Sequence, residues 1–216
     1  MICFNTYPNH YRFRNAVAVA VALLLTVNNS IAQTQPAPAF VDFDKLAAQP
    51  GTNIIHSKRG DEDVTELQRG GVSVQITRRG DKIQTLGVDH SGHGAVLCAW
   101  QIYIALRAEL DTCFAGKYPE LRDDISTSIG AINKFIVTNS FLPTSQNEVE
   151  ASALAEDMKL RSPIAKMPLD QLAKVCQSGS LGKMVIQAAK ATHTQRQKST
   201  DDLLSIPRPP VLNPCL

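Results

Sequence analysis

Between Gly94 and Gly116 the chain reads GAVLCAWQIYIALRAELDTCFAG, a distribution of apolar and polar positions that predicts one long helix. Val96, Leu97, Trp100, Ile102, Tyr103, Ile104 and Leu106 leave Gln101 as the only strongly polar side chain of the first half, so enclosure by other elements is expected there. The second half is amphipathic. Arg107, Glu109 and Asp111 are expected to face water, while Leu110 and Phe114 continue the stripe begun by Val96, Trp100 and Tyr103. The rest of the chain is expected to be organised around this helix.

Downstream, Lys117-Tyr118-Pro119 interrupts the pattern, and Pro119 followed by Glu120 suits the start of a new helix. Leu121, Ile125, Ile129, Ile132 and Ile136 form one stripe, which predicts a helix to about Asn139, antiparallel to its predecessor across a short connection. Pro143 ends any continuation. Ser145 and Glu148 have capping-box spacing and open a third helix with Ala151, Leu154, Ala155 and Met158 on its expected inner face and Pro163 as its stop. Pro168 opens a fourth, in which Leu169, Leu172, Ala173 and Cys176 recur at helical spacing and are expected inside. Gly179 closes it. Gly182 to about Lys198 predicts a fifth helix, apolar at Met184, Val185, Ala188 and Ala191, and the four prolines between Ile206 and Leu216 predict an extended strap.

Upstream the period is shorter. Arg59-Gly60, Arg69-Gly70 and Arg79-Gly80 recur ten residues apart, a turn spacing that suits a β-meander. Val72 to Thr77 alternates apolar with polar, and Lys82 to Val88 is its expected hairpin partner. Thr52 to Lys58 and Val64 to Gln68 alternate less clearly, and Asp61-Glu62-Asp63 equally fits the start of a helical turn. Phe40 to Gln49 predicts one short helical turn, with Asp42 or Asp44 near its start and Pro50-Gly51 at its end. The fold class is therefore mainly α: a helical bundle of four to five helices over residues 94–216, with an N-terminal β-hairpin or small β-meander over residues 52–93.

Residues 1–32 contain no Asp or Glu, place Arg12 and Arg14 before the apolar run Ala16 to Val27, and end in Ser30-Ile31-Ala32. This is the pattern of a secretory signal peptide, with cleavage expected before Gln33, and the run is too short for a spanning helix, which needs about 20 residues. Gln33 to Ala39 then reads as an extended leader, part of a connecting segment over residues 33–51. Without Arg12 and Arg14 the 22 basic residues fall to 20, equal to the 20 acids, so the net charge of +2 belongs to the signal. This balance offers nothing to a nucleic-acid partner or a polybasic membrane patch.

Export changes the reading of the cysteines. Cys3 leaves with the signal, and Cys98, Cys113, Cys176 and Cys215 remain as an even set suited to structural disulfides. A continuous helix separates Cys98 from Cys113 by about 22 Å, too far for a bridge. Two pairings stay open: Cys98 with Cys176 and Cys113 with Cys215, or the reverse.

Candidate chemistry is sparse. Asp89-His90-Ser91-Gly92-His93 is the densest group of metal-ligating types, with His56 upstream, but two histidines in a glycine-bearing loop do not complete a zinc site, and His90 or Ser91 better suits a cap on the central helix. Neither G-x-S-x-G, nor H-E-x-x-H, nor a glycine-rich phosphate cradle occurs, and no cofactor is implied. Asp123-Asp124 and Asp201-Asp202 are expected near helix starts, where the helix dipole accounts for them. Arg59-Gly60-Asp61 and Arg79-Gly80-Asp81 spell an adhesive tripeptide that hairpin turns also favour. The expectation is a secreted or periplasmic, disulfide-stapled, non-catalytic binding protein without an integral membrane segment once processed, its partner an unidentified protein or small molecule. The alternative is a small secreted hydrolase, with or without a metal ion, with its site near the His90/His93 loop.

Overall fold

The computed structural model describes residues 43–140 and 144–215, except the side chains of residues 177 and 178, and the described residues belong to one compact unit. The signal-peptide region, the leader from Gln33 to Ala39, Asp42 and Pro143 lie outside the described residues. A five-residue helix α1 (Phe43–Ala47) precedes an antiparallel meander of β1 (Asn53–Arg59), β2 (Glu62–Arg69), β3 (Val72–Arg79) and β4 (Lys82–Asp89), in spatial order β1-β2-β3-β4. The ten-residue repeat is thus the strand-and-turn repeat. Gly60 and Gly80 hold φ of 64° and 56° at the hairpin turns, a backbone region closed to most side chains. Both Arg-Gly-Asp triplets therefore lie at turns, where Arg79 pairs with Asp61 of the neighbouring hairpin at 2.8 Å. Glu62 and Asp63 lie in β2 rather than in a helical turn, because β2 is paired on both sides and the ladders override a local helical preference.

The helices follow: α2 (Val96–Cys113), α3 (Pro119–Asn139), α4 (Gln146–Ala165), α5 (Leu169–Ser178), α6 (Ser180–Ala188) and α7 (His193–Leu204). The stripe Leu121, Ile125, Ile129, Ile132 and Ile136 is buried as expected and meets Val96, Trp100, Ile104 and Leu110 of α2, with Val149, Ala153, Val185 and Leu203 completing the core. Two polar pairs lie inside it. Trp100 Nε1 donates to Asn133 Oδ1 at 2.7 Å, and Ser128 Oγ lies 2.8 Å from Thr200 Oγ1.

Several expectations for the helical part are corrected. Six helices, rather than four to five, follow the sheet among the described residues. The extra one arises where the expected fifth helix divides: Thr192 accepts from the Gln195 amide and Gln195 bonds back to the Thr192 amide, a capping box that starts α7 after α6 has ended at Ala188. Pro163 sits inside α4, whose last turn continues to Ala165. The inner face of α4 is Val149, Ala153 and Asp157, while Leu154 and Met158 are 57% and 61% exposed. Asp157 reaches the inside because Arg107 and Arg161 neutralise it, which a reading by hydropathy does not anticipate. Among the described side chains of α5 only Cys176 is buried, and Leu169, expected inside, is 82% exposed. Along α2 the polar expectations are exchanged: Gln101 faces water and Glu109 is buried at 3% exposure, under α6.

The C-terminal strap joins the sheet to the bundle. Asn213 forms a parallel bridge with Val88, Val211 packs with Leu67, Val72 and Val74, and the Val211 carbonyl accepts from the Leu97 amide at 3.0 Å. That carbonyl satisfies one of the orphan amides of the first turn of α2, which has no side-chain cap, so neither His90 nor Ser91 plays the capping role expected of it. Gly87 is required beneath the strap. A Cβ there would lie 2.6 Å from a Val211 methyl. Cys98 bonds to Cys215 and Cys113 to Cys176, so the bridges hold the strap at one end of α2 and α5 at the other. No helix among the described residues is long and apolar enough to cross a membrane.

Candidate functional site

The histidine loop is occupied by structural bonds. Asp89 accepts from the Ser91 amide at 2.8 Å and pairs with Arg208 at 2.5 Å, both side chains being almost fully enclosed. Arg208 also donates to the Ile206 and Gly94 carbonyls and stacks over Phe135 at 5.8 Å. His90 meets Ser73 at 3.1 Å, and His93 Nδ1 lies 2.8 Å from the Asp202 carbonyl and 3.2 Å from Ser205 Oγ. His56 is on β1 and bonds to Thr65 instead. These contacts fasten sheet, strap and α7 to one another. They do not bring the three histidines together.

Two other groups gather titratable atoms. Glu120, Asp124 and His193 approach within 4.8 Å, but Arg196 sits among them, donating to Asp124 and Glu120, and supplies the positive charge a cation would otherwise bring. Asp124 thus anchors α7 to α3. The second pair, Asp201-Asp202, lies in the last turn of α7 rather than at a helix start, and the Lys198 ammonium holds the Asp202 carboxyl below its ordinary range. The second group is Glu109 with Cys113 and Cys176, whose sulfurs are already bonded to each other. Burial pushes the Glu109 carboxyl up, and it has no ion-pair partner among the described residues.

A charge network links α2, α3 and α4. Asp111 accepts from Arg122 and Arg161, while Asp157 accepts from Arg107 and Arg161. Burial alone would raise the Asp111 carboxyl, but the two guanidinium groups outweigh it and hold the group below its ordinary range. A cavity of about 220 Å³ lies where the strap passes the β2–β3 turn and the end of α3, lined by Arg69, Gly70, Thr138, Asn139 and Pro207 to Pro209. Its walls are amide, proline and hydroxyl with two guanidinium groups, of which Arg69 bonds to Gln49 and Arg208 to Asp89.

Exposed apolar chemistry lies in two other places. On the helices, Leu154 and Met158 of α4, Leu169 and Val175 of α5, and Met184 and Ile186 of α6 are each 37% to 82% exposed, and on the edge strands of the sheet Ile54, Ile55, Ile83 and Leu86 are 40% to 62% exposed. No family model, curated protein or solved structure matches this chain. Of the helical residues, apolar spacing singles out Leu154, Met158, Leu169 and Met184 and places the first three inside, while Val175 and Ile186 fall outside every predicted stripe. The missed signal was the competing line Val149, Ala153, Asp157 in α4, which includes a charge and so looks like an outer face until its arginines are placed.

Proposed function

We propose that the chain is an exported, non-catalytic binding protein, and that it engages its partner through the outward faces of α4, α5 and α6. The observation carrying this reading is the exposed series Leu154, Met158, Leu169, Val175, Met184 and Ile186, contributed by three consecutive helices. Two disulfides support residence in an oxidising compartment, secreted or periplasmic. Terminal sequencing of protein from the native host tests export: the expected first residue is Gln33, and an intact Met1 contradicts it.

The surface itself is tested by photo-crosslinking in the native compartment from Met158 and, as a control, from Gln84 on β4. Crosslinks from Met158 alone are expected. Crosslinks only from Gln84, or turnover of an ester or peptide panel that is abolished by His90→Ala with His93→Ala, would replace the binding reading with another surface or with the hydrolase.

A further inference from the structure

We infer that the partner of this surface is an anionic lipid bilayer, on which α5 and α6 rest as a peripheral dock; this rests on the binding reading above. The near-neutral total conceals a local excess. From Lys166 to Lys190 the chain carries Lys166, Lys174, Lys183 and Lys190 against Asp170 alone, whereas basic and acidic residues balance over the chain beyond residue 32. The aliphatic side chains that protrude furthest in the same region are Leu169 at 82%, Met184 at 40% and Ile186 at 39% exposure. α5 is bound to the body at its Cys176 end by the disulfide to α2, so its first turn, with Leu169, stands clear of the core.

The residue types select the class of partner. Residues 166–190 contain no aromatic side chain and no arginine, the groups on which protein interfaces concentrate their binding energy. Lysines beside protruding leucine, methionine and isoleucine are what a helix lying in a lipid headgroup region uses: aliphatic groups enter the acyl boundary while ammonium groups meet anionic headgroups. A second copy of the chain would bring like charges together and is disfavoured.

The test is co-sedimentation of the protein beginning at Gln33 with vesicles of phosphatidylcholine alone or with about 30% phosphatidylglycerol. Binding to the anionic vesicles is expected to exceed binding to neutral ones by about tenfold and to fall severalfold in about 0.5 M sodium chloride. Leu169→Asp, and separately Lys166→Glu with Lys183→Glu, should each reduce it by about tenfold. Unchanged thermal unfolding would show that these exposed substitutions leave the fold intact. Absence of anionic-vesicle binding, equal binding to neutral vesicles, or binding indifferent to both variants overturns the inference. If vesicles do not bind but Met158 crosslinks a protein, the bilayer assignment fails while the binding reading stands; if neither is seen, both fail.

Discussion

At the scale of single residues, two buried charges are treated in opposite ways. Asp89 and Arg208 are enclosed together, and each of the three guanidinium nitrogens of Arg208 donates a hydrogen bond, to the Asp89 carboxylate, the Ile206 carbonyl and the Gly94 carbonyl. Asp89→Ala leaves a guanidinium buried without its counter-charge and should cost about 3–5 kcal/mol in urea unfolding. Glu109 is buried without such a partner, and burial raises its pKa. The native state therefore holds a proton that the unfolded chain has released once pH passes its unfolded value of about 4.3, and stability falls as pH rises from there through the folded pKa. Glu109→Gln should be more stable than the parent at pH 7.5, with the difference closing toward pH 4, as read by thermal unfolding across pH. A constant difference at all pH values would show that ionisation of Glu109 is not its cause. Neither role was legible from sequence. Asp89 was grouped with the histidines because its partner lies 119 positions away, and Glu109 was turned outward because its charge outweighed its place on the helix.

At the scale of elements, legibility follows how much of the information is local. α3 begins at Pro119 and ends at Asn139, as its proline and isoleucine stripe predict, and the four strands keep the period of their Arg-Gly turns. Boundaries set by capping were readable in principle. Ser145-Glu148 is legible as a capping box, whereas Thr192-Gln195, with the same reciprocal bonding, lies within the segment from Gly182 to Lys198 that apolar spacing reads as one helix. Thr192→Ala should cost about 1 kcal/mol and fray the start of α7, seen as faster amide exchange there. Which face of α4 or α5 turns inward depends on partners far along the chain, and hydropathy alone misassigns both. Packing between α5 and α6 is closer still. A Cβ on Gly182 would collide with the Cys176 carbonyl oxygen, so Gly182→Ala should destabilise by about 1–3 kcal/mol through forced movement of backbone.

At the scale of the whole molecule, α2 is the member to which the strap and α5 are both fastened. Its Cys98 end receives the strap, which also extends the sheet at Val88, and its Cys113 end receives α5. The cysteine arithmetic excluded a Cys98 to Cys113 bridge but left two pairings, since sequence does not reveal which end of α2 the strap reaches. The deciding contacts are the Val211 carbonyl on the Leu97 amide and the seat of Val211 over Gly87, both beside Cys98. Each bridge closes a long loop and is worth about 2–4 kcal/mol. Cys176→Ser should expose α5 to proteases, and Cys215→Ser should expose the strap. The architecture as a whole is tested most directly by non-reducing peptide mapping of the purified protein. The predicted linked peptides join Cys98 to Cys215 and Cys113 to Cys176; a peptide joining Cys98 to Cys113 or Cys98 to Cys176 would contradict the continuous central helix or the path of the strap.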